Sequence, residues 1–89
     1  MAATMTVTAP EWLTQRGGTL RSSYDSHSWM VYFDDRLQYQ VTPVPVAGKF
    51  GSKVMQTVSG RLVETKGTYA TTEEAVRGGL EDLRKALGW

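Results

Sequence analysis

Apolar and polar positions along this chain change period from strand-like to helix-like. Trp29-Met30-Val31-Tyr32-Phe33 is a continuous aromatic and β-branched run, which predicts a strand. From Leu37 the positions alternate. Leu37, Tyr39 and Val41 fall on one face and Gln38, Gln40 and Thr42 on the other, which predicts a half-buried strand reaching towards Val46. Polar Asp34-Asp35-Arg36 joins the two runs as a hairpin. Val54–Val58 predicts a further strand, Ser59-Gly60 a two-residue turn and Arg61–Glu64 its return.

The period then becomes helical. Val76, Leu80, Leu83 and Leu87 form one stripe, so a helix should run from about 72 to 87. Thr71-Thr72-Glu73-Glu74 has the form of a capping box, the Thr71 hydroxyl accepting from the Glu74 amide. Glu73–Arg77 and Glu81–Lys85 are favourable pairs on its surface. Gly88 stands where a helix stop belongs, and Trp89 is then placed to fold back on Leu83. Gly78-Gly79 interrupts the pattern, since each glycine inside a helix costs about 1 kcal/mol relative to alanine. Two readings stay open for this close-packing pair. Either the helix lies tightly over bulky strand aromatics, or it meets a second copy of the chain.

The flanks carry weaker signals. Residues 1–7 show no periodicity and are expected to be disordered. Thr8 is expected to cap a short helical turn over Pro10, Glu11, Trp12 and Leu13, which Gly17-Gly18 ends. Thr19-Leu20-Arg21 reads as a short strand and residues 22–26 as a turn. Pro43 and Pro45 cannot donate to a ladder, so that end of the strand lies at an edge or has left the sheet. Residues 47–52 read as a flexible loop. The expected fold is therefore α+β, a single domain over residues 8–89. A small antiparallel sheet of about three to five strands, built from two hairpins, is covered on one face by the C-terminal helix, with the short N-terminal turn at an end or edge.

Composition narrows the function. Eighty-nine residues suffice for one small domain, and with no cysteine there is no disulfide frame and no thiolate metal site. So small a core leans on its aromatics, most of which are expected inside. No apolar run approaches the roughly 18 residues of a membrane span, and the first 15 residues lack a secretory pattern. A soluble cytoplasmic domain is the expectation, with no membrane partner. Charge is nearly balanced, with 10 Lys+Arg against 9 Asp+Glu. It is uneven locally, because residues 49–66 hold Lys49, Lys53, Arg61 and Lys66 against Glu64 alone.

Candidate chemistry is sparse. Asp25, Ser26 and His27 are the residue types of a hydrolase triad, but neighbours in one turn cannot align nucleophile, base and orienting acid, so His27 reads as a solvated turn residue. Asp34-Asp35 offers too few oxygens for a hard cation. Gly48-Lys49-Phe50-Gly51 lacks the earlier glycine of a phosphate loop, and it joins strands, where a GxxG nucleic-acid clamp joins helices. Two readings remain for it: a basic-aromatic tip presenting Phe50 to a base or a partner's pocket, or a plain connection with Phe50 folded inward.

Arg61-Leu62-Val63 followed by Gly67-Thr68-Tyr69-Ala70-Thr71-Thr72-Glu73-Glu74-Ala75 resembles the strand-to-helix junction of AP2/ERF-like domains and of the arm-type DNA-binding domains of phage integrases. The resemblance implies three antiparallel strands, one packed helix, and DNA read by the sheet. Unlike AP2-like strands, Trp29–Phe33 and Leu37–Val46 carry no Arg or Lys. The expected function is a small non-catalytic interaction module that needs no cofactor and no metal. Its partner would be another protein or a second copy. The alternative is weak nucleic-acid binding through the basic 49–66 hairpin, with Lys49, Phe50, Lys53, Arg61 and Lys66 as the candidate surface.

Overall fold

A computed structural model describes residues 8–22 and 28–89. The expected disorder of residues 1–7 and the readings of Tyr24, Asp25, Ser26 and His27 lie outside the described residues. The elements are helix α1 (Glu11–Gln15), strands β1 (Gly18–Ser22), β2 (Trp29–Phe33), β3 (Arg36–Val46), β4 (Lys49–Gln56) and β5 (Leu62–Val63), and helix α2 (Thr72–Ala86). The strands form one antiparallel meander in the order β1-β2-β3-β4-β5, and α2 packs across β3 and β4, an α+β fold.

Register makes this sheet two-faced. Ser22, Trp29, Val41, Val54 and Val63 are successive partners across all five strands. In that row Trp29, Val41 and Val54 are buried beneath Val76, Leu80 and Leu83 of α2, and Leu87 packs at the margin. Leu13 of α1 closes the β1 end of this core, seated over Gly18 and the ring of Phe33. Of the described aromatics only Trp29 is buried outright. Trp12, Phe33 and Tyr39 pack around an aliphatic centre, so the core is less aromatic than composition suggested.

The helix ends follow their local chemistry. The Thr71 hydroxyl accepts from the Glu74 amide at 3.1 Å. At the other end Gly88 takes φ 76°, Trp89 N–H donates to the Arg84 carbonyl and Gly88 N–H to that of Lys85, which completes a Schellman stop. Trp89 turns back across the β1 end of the core. It packs edge-on against Phe33, tilts against Trp12 and lies under the Arg16 guanidinium, 4.7 Å from the ring centre. Glu73 pairs with Arg77 as expected, but Glu81 pairs with Arg84 in place of Lys85. Thr8 is not the cap of α1. Pro10 holds that position and makes no side-chain cap bond.

Both helix glycines are used within the chain. A methyl on Gly79 would meet Val41 Cγ1 at 2.9 Å and Ser52 Cβ at 3.0 Å, so this glycine fits over small strand residues and not over aromatics. Gly78 is the one beneath a ring, since a methyl there would land in Tyr69, whose ring end lies between Gly67 and Gly78.

The second hairpin departs most from expectation. Residues 47–52 are not a loop. Ala47 and Gly48, at φ 47° and 83°, make a two-residue turn of type I′, and β4 begins at Lys49. Strand β4 thus starts before the expected Val54–Val58 strand and shares only Val54, Met55 and Gln56 with it, and Val58 sits 81% exposed in the following turn. Gln56 N–H donates to the Arg61 carbonyl, so the turn holds four residues, 57–60, and not Ser59-Gly60 alone. Pro43 and Pro45 stay in β3, but beyond Val41 that strand has no β2 partner, so their missing N–H groups fall on a local edge. Near its start β3 carries one extra residue, Gln38, between the pairs Val31↔Tyr39 and Tyr32↔Leu37. The bulge breaks the alternation there and places Leu37 opposite Tyr32.

Candidate functional site

The face of the sheet away from α2 is the surface that needs explaining. One residue along from the buried row, Arg21, Met30, Gln40, Met55 and Leu62 are successive cross-strand partners, again over five strands. Strand alternation puts this row on the side opposite Trp29, Val41 and Val54. Tyr32 and Lys53 flank it on the same side, partnered by Thr19 and Thr42. Gln40, Thr42, Val44, Lys53 and Met55 line one shallow depression of about 210 Å³. Among the described residues nothing from either helix covers it.

Its chemistry is mixed in a specific way. Arg21 holds its guanidinium over the Tyr32 ring, 5.4 Å from the centre. Met30, Tyr32 and Met55 are half-buried, and Leu62 is 59% exposed. The charged residues of the five strands are all cations: Arg21, Arg36, Lys49 and Lys53. Four acids sit on α2 instead: Glu73, Glu74, Glu81 and Asp82. Glu64, which extended pairing would bring near Lys53, lies by Lys66 and lines a hollow with Asp82 and Lys85 beside α2. The open face thus holds the strand cations Arg21, Lys49 and Lys53, while α2 on the far side carries charges of both signs, its acids accompanied by Arg77, Arg84 and Lys85.

The residues singled out from sequence do not gather in one place. Lys49 and Lys53 share the open face. Phe50 does not sit at a loop tip: it is half-buried within β4, bridged to Tyr69 by two backbone hydrogen bonds. Arg61 is exposed in the turn before β5. Lys66 lies beside α2, within 3.8 Å of Glu64. Arg21 and Tyr32, which sequence reading passed over, join the face through cross-strand register.

Other features hold less chemistry. A cleft of about 340 Å³ between α1 and α2 is lined by Pro10, Trp12, Leu80, Arg77 and Glu81. Glu81 is held below the usual carboxylate range by its hydrogen bond to Arg84. That pair is a surface tie along one helix, not an acid–base set. Asp34 and Asp35 are exposed in the β2–β3 turn, at φ 53° and 61°. Among the described residues no three metal-ligating side chains come together, and no helix is long and apolar enough to cross a membrane. The chain matches no known protein-family model, no curated protein and no solved structure.

Proposed function

We propose that this chain is a small non-catalytic binding module whose interaction surface is the open face of its sheet, and that its partner is an anionic macromolecule. One observation carries the reading: among the described residues a row running over all five strands is covered by neither helix, and the strands that form it carry cations and no carboxylate. Focusing one sign of charge on a single face attracts an oppositely charged partner even when net charge is small. A protein partner seated on Met30, Met55 and Leu62 is the second reading, supported by the exposure of Leu62. The test is retention on heparin at low ionic strength. Arg21→Glu with Lys53→Glu should abolish retention, and Lys66→Glu with Lys85→Glu should leave most of it. Equal loss in both variants, or no retention of the wild type, overturns the assignment. Retention that ignores salt favours the second reading.

A further inference from the structure

Resting on that reading, we infer that the open face takes single-stranded nucleic acid, with Arg21, Lys49 and Lys53 on phosphates and Tyr32, Met30 and Met55 beneath the bases. The argument begins with width. Strand spacing of about 4.8 Å makes the five-stranded face roughly 19 Å across. The major groove of B-form DNA is about 12 Å wide, so it admits a helix or a two-stranded ribbon but not this surface laid flat. Laid flat, the whole face could meet a duplex only along its sugar-phosphate exterior. That contact would use the cations and leave the half-buried Met30, Tyr32 and Met55 facing charge and water.

A single strand satisfies both parts of the surface. Its unstacked bases offer apolar π-faces, which stack on aromatic rings and on guanidinium planes. Arg21 over Tyr32 supplies such a platform, a guanidinium plane backed by a ring. Methionine sulfur also packs favourably on aromatic rings, and Met30 and Met55 stand on either side of Gln40 in the row. The Gln40 amide can donate to and accept from base edges at that point. Lys49 and Lys53 lie four residues apart on one side of β4, about 13–14 Å along the strand, so the phosphates they hold belong to separate nucleotides. An acidic polypeptide would match the cations but would leave the stacking platform idle.

The expected binding is weak and legible in its salt dependence. Three phosphate contacts to a single strand give a slope of log affinity against log salt of about −2. The experiment is fluorescence anisotropy at low salt, with three labelled probes: an oligothymidylate of about ten nucleotides, a duplex of equal length and a polyglutamate of matched charge. The oligothymidylate should bind at least about tenfold more tightly than either of the others. Arg21→Gln and Lys53→Gln should each reduce the slope by about 0.7. Tyr32→Leu and Met55→Ser should weaken binding severalfold without changing it. A thermal melt of each variant confirms that it is folded, and Tyr32→Leu keeps apolar volume where Tyr32→Ala would not. Duplex bound as tightly as the single strand overturns this inference and leaves the open-face reading standing. Polyglutamate bound equally overturns it in favour of simple charge attraction. Binding of none of the three, with heparin retention intact, overturns the nucleic-acid assignment alone; loss of retention as well overturns both.

Discussion

The two faces of this sheet are written in adjacent residues and obey opposite rules. Trp29, Val41 and Val54 lie under α2, whereas Met30, Gln40 and Met55, one residue along or one before, look away from it. Backbone and neighbours are nearly the same, so the difference comes from what lies above each face. Under the helix, each position is decided by volume. On the open face water is the neighbour, and the side chains kept there are not those that stability alone selects. Leu62 at 59% exposure and Arg21 over Tyr32 add little to folding and much to a surface.

The sharpest way to break this contrast is to change one residue on each side. Leu83→Ala should cost about 2–5 kcal/mol, because its side chain is fully buried and the cavity cannot collapse between strands and helix. Leu62→Lys, on the open row, should move stability by no more than about 0.5 kcal/mol. Urea denaturation reads both. A Leu62→Lys loss comparable to that of Leu83→Ala would mean that the open face is covered in the folded chain.

The helix glycines sharpen the contrast next. Gly79→Ala gains about 1 kcal/mol of helix propensity. It also forces a methyl against Val41 and Ser52, which sit on paired strands and cannot retreat. Overpacking of that kind costs about 1–3 kcal/mol, so a net loss of about 1 kcal/mol is expected. A rise in melting temperature would show that α2 has slack above the sheet. The atoms nearest to a methyl on Gly78 belong to Tyr69, whose ring it would enter. In a Tyr69→Ala background Gly78→Ala should therefore turn stabilising, by about 1 kcal/mol. Unchanged behaviour in that background would mean that the ring does not set the glycine.

Much of the covered face was legible because its signals are local. The stripe from Val76 to Leu87, the Thr71 cap and the Gly88 stop are read within a few residues of one another. What escaped reading depends on pairing. Gly51-Ser52-Lys53 has poor strand propensity and becomes strand because β3 holds it, while the small side chain of Ser52 lies against Gly79. A small serine in a strand and a mid-helix Gly-Gly were the available clue. The bulge at Gln38 and the choice of Arg84 over Lys85 by Glu81 rest on three-dimensional fit, which periodicity does not report. The candidate face was half visible in the alternation of Gln40 and Thr42. Arg21 and Tyr32 joined it only through register.

That register hangs on the Ala47-Gly48 turn, since a slip of one residue between β3 and β4 would exchange the two faces. Ala47 at φ 47° occupies a region that disfavours a β-carbon. Ala47→Asn supplies the residue preferred before glycine in such turns and should stabilise by about 0.5 kcal/mol. Destabilisation by that change would mean that a different turn sets the register.

The smallest effect separates the faces by pH. The strands carry no carboxylate, so acid sensitivity of the packed state enters through the helices and turns. Glu81, lowered chiefly by its hydrogen bond to Arg84, is one source. Its folded pKa lies below the ordinary value of 4.5, so its contribution is complete above that value and is lost as pH falls through the folded pKa. Glu81→Gln should therefore melt slightly below the wild type at neutral pH, with the gap closing as the medium is taken below pH 4.5. The pair is partly solvated, which keeps the gap small. Arg21→Gln, on the open face with no carboxylate partner among the described residues, should show no such closing over the same range. A gap that widens in acid for Glu81→Gln would reverse the sign of the linkage and detach Glu81 from Arg84.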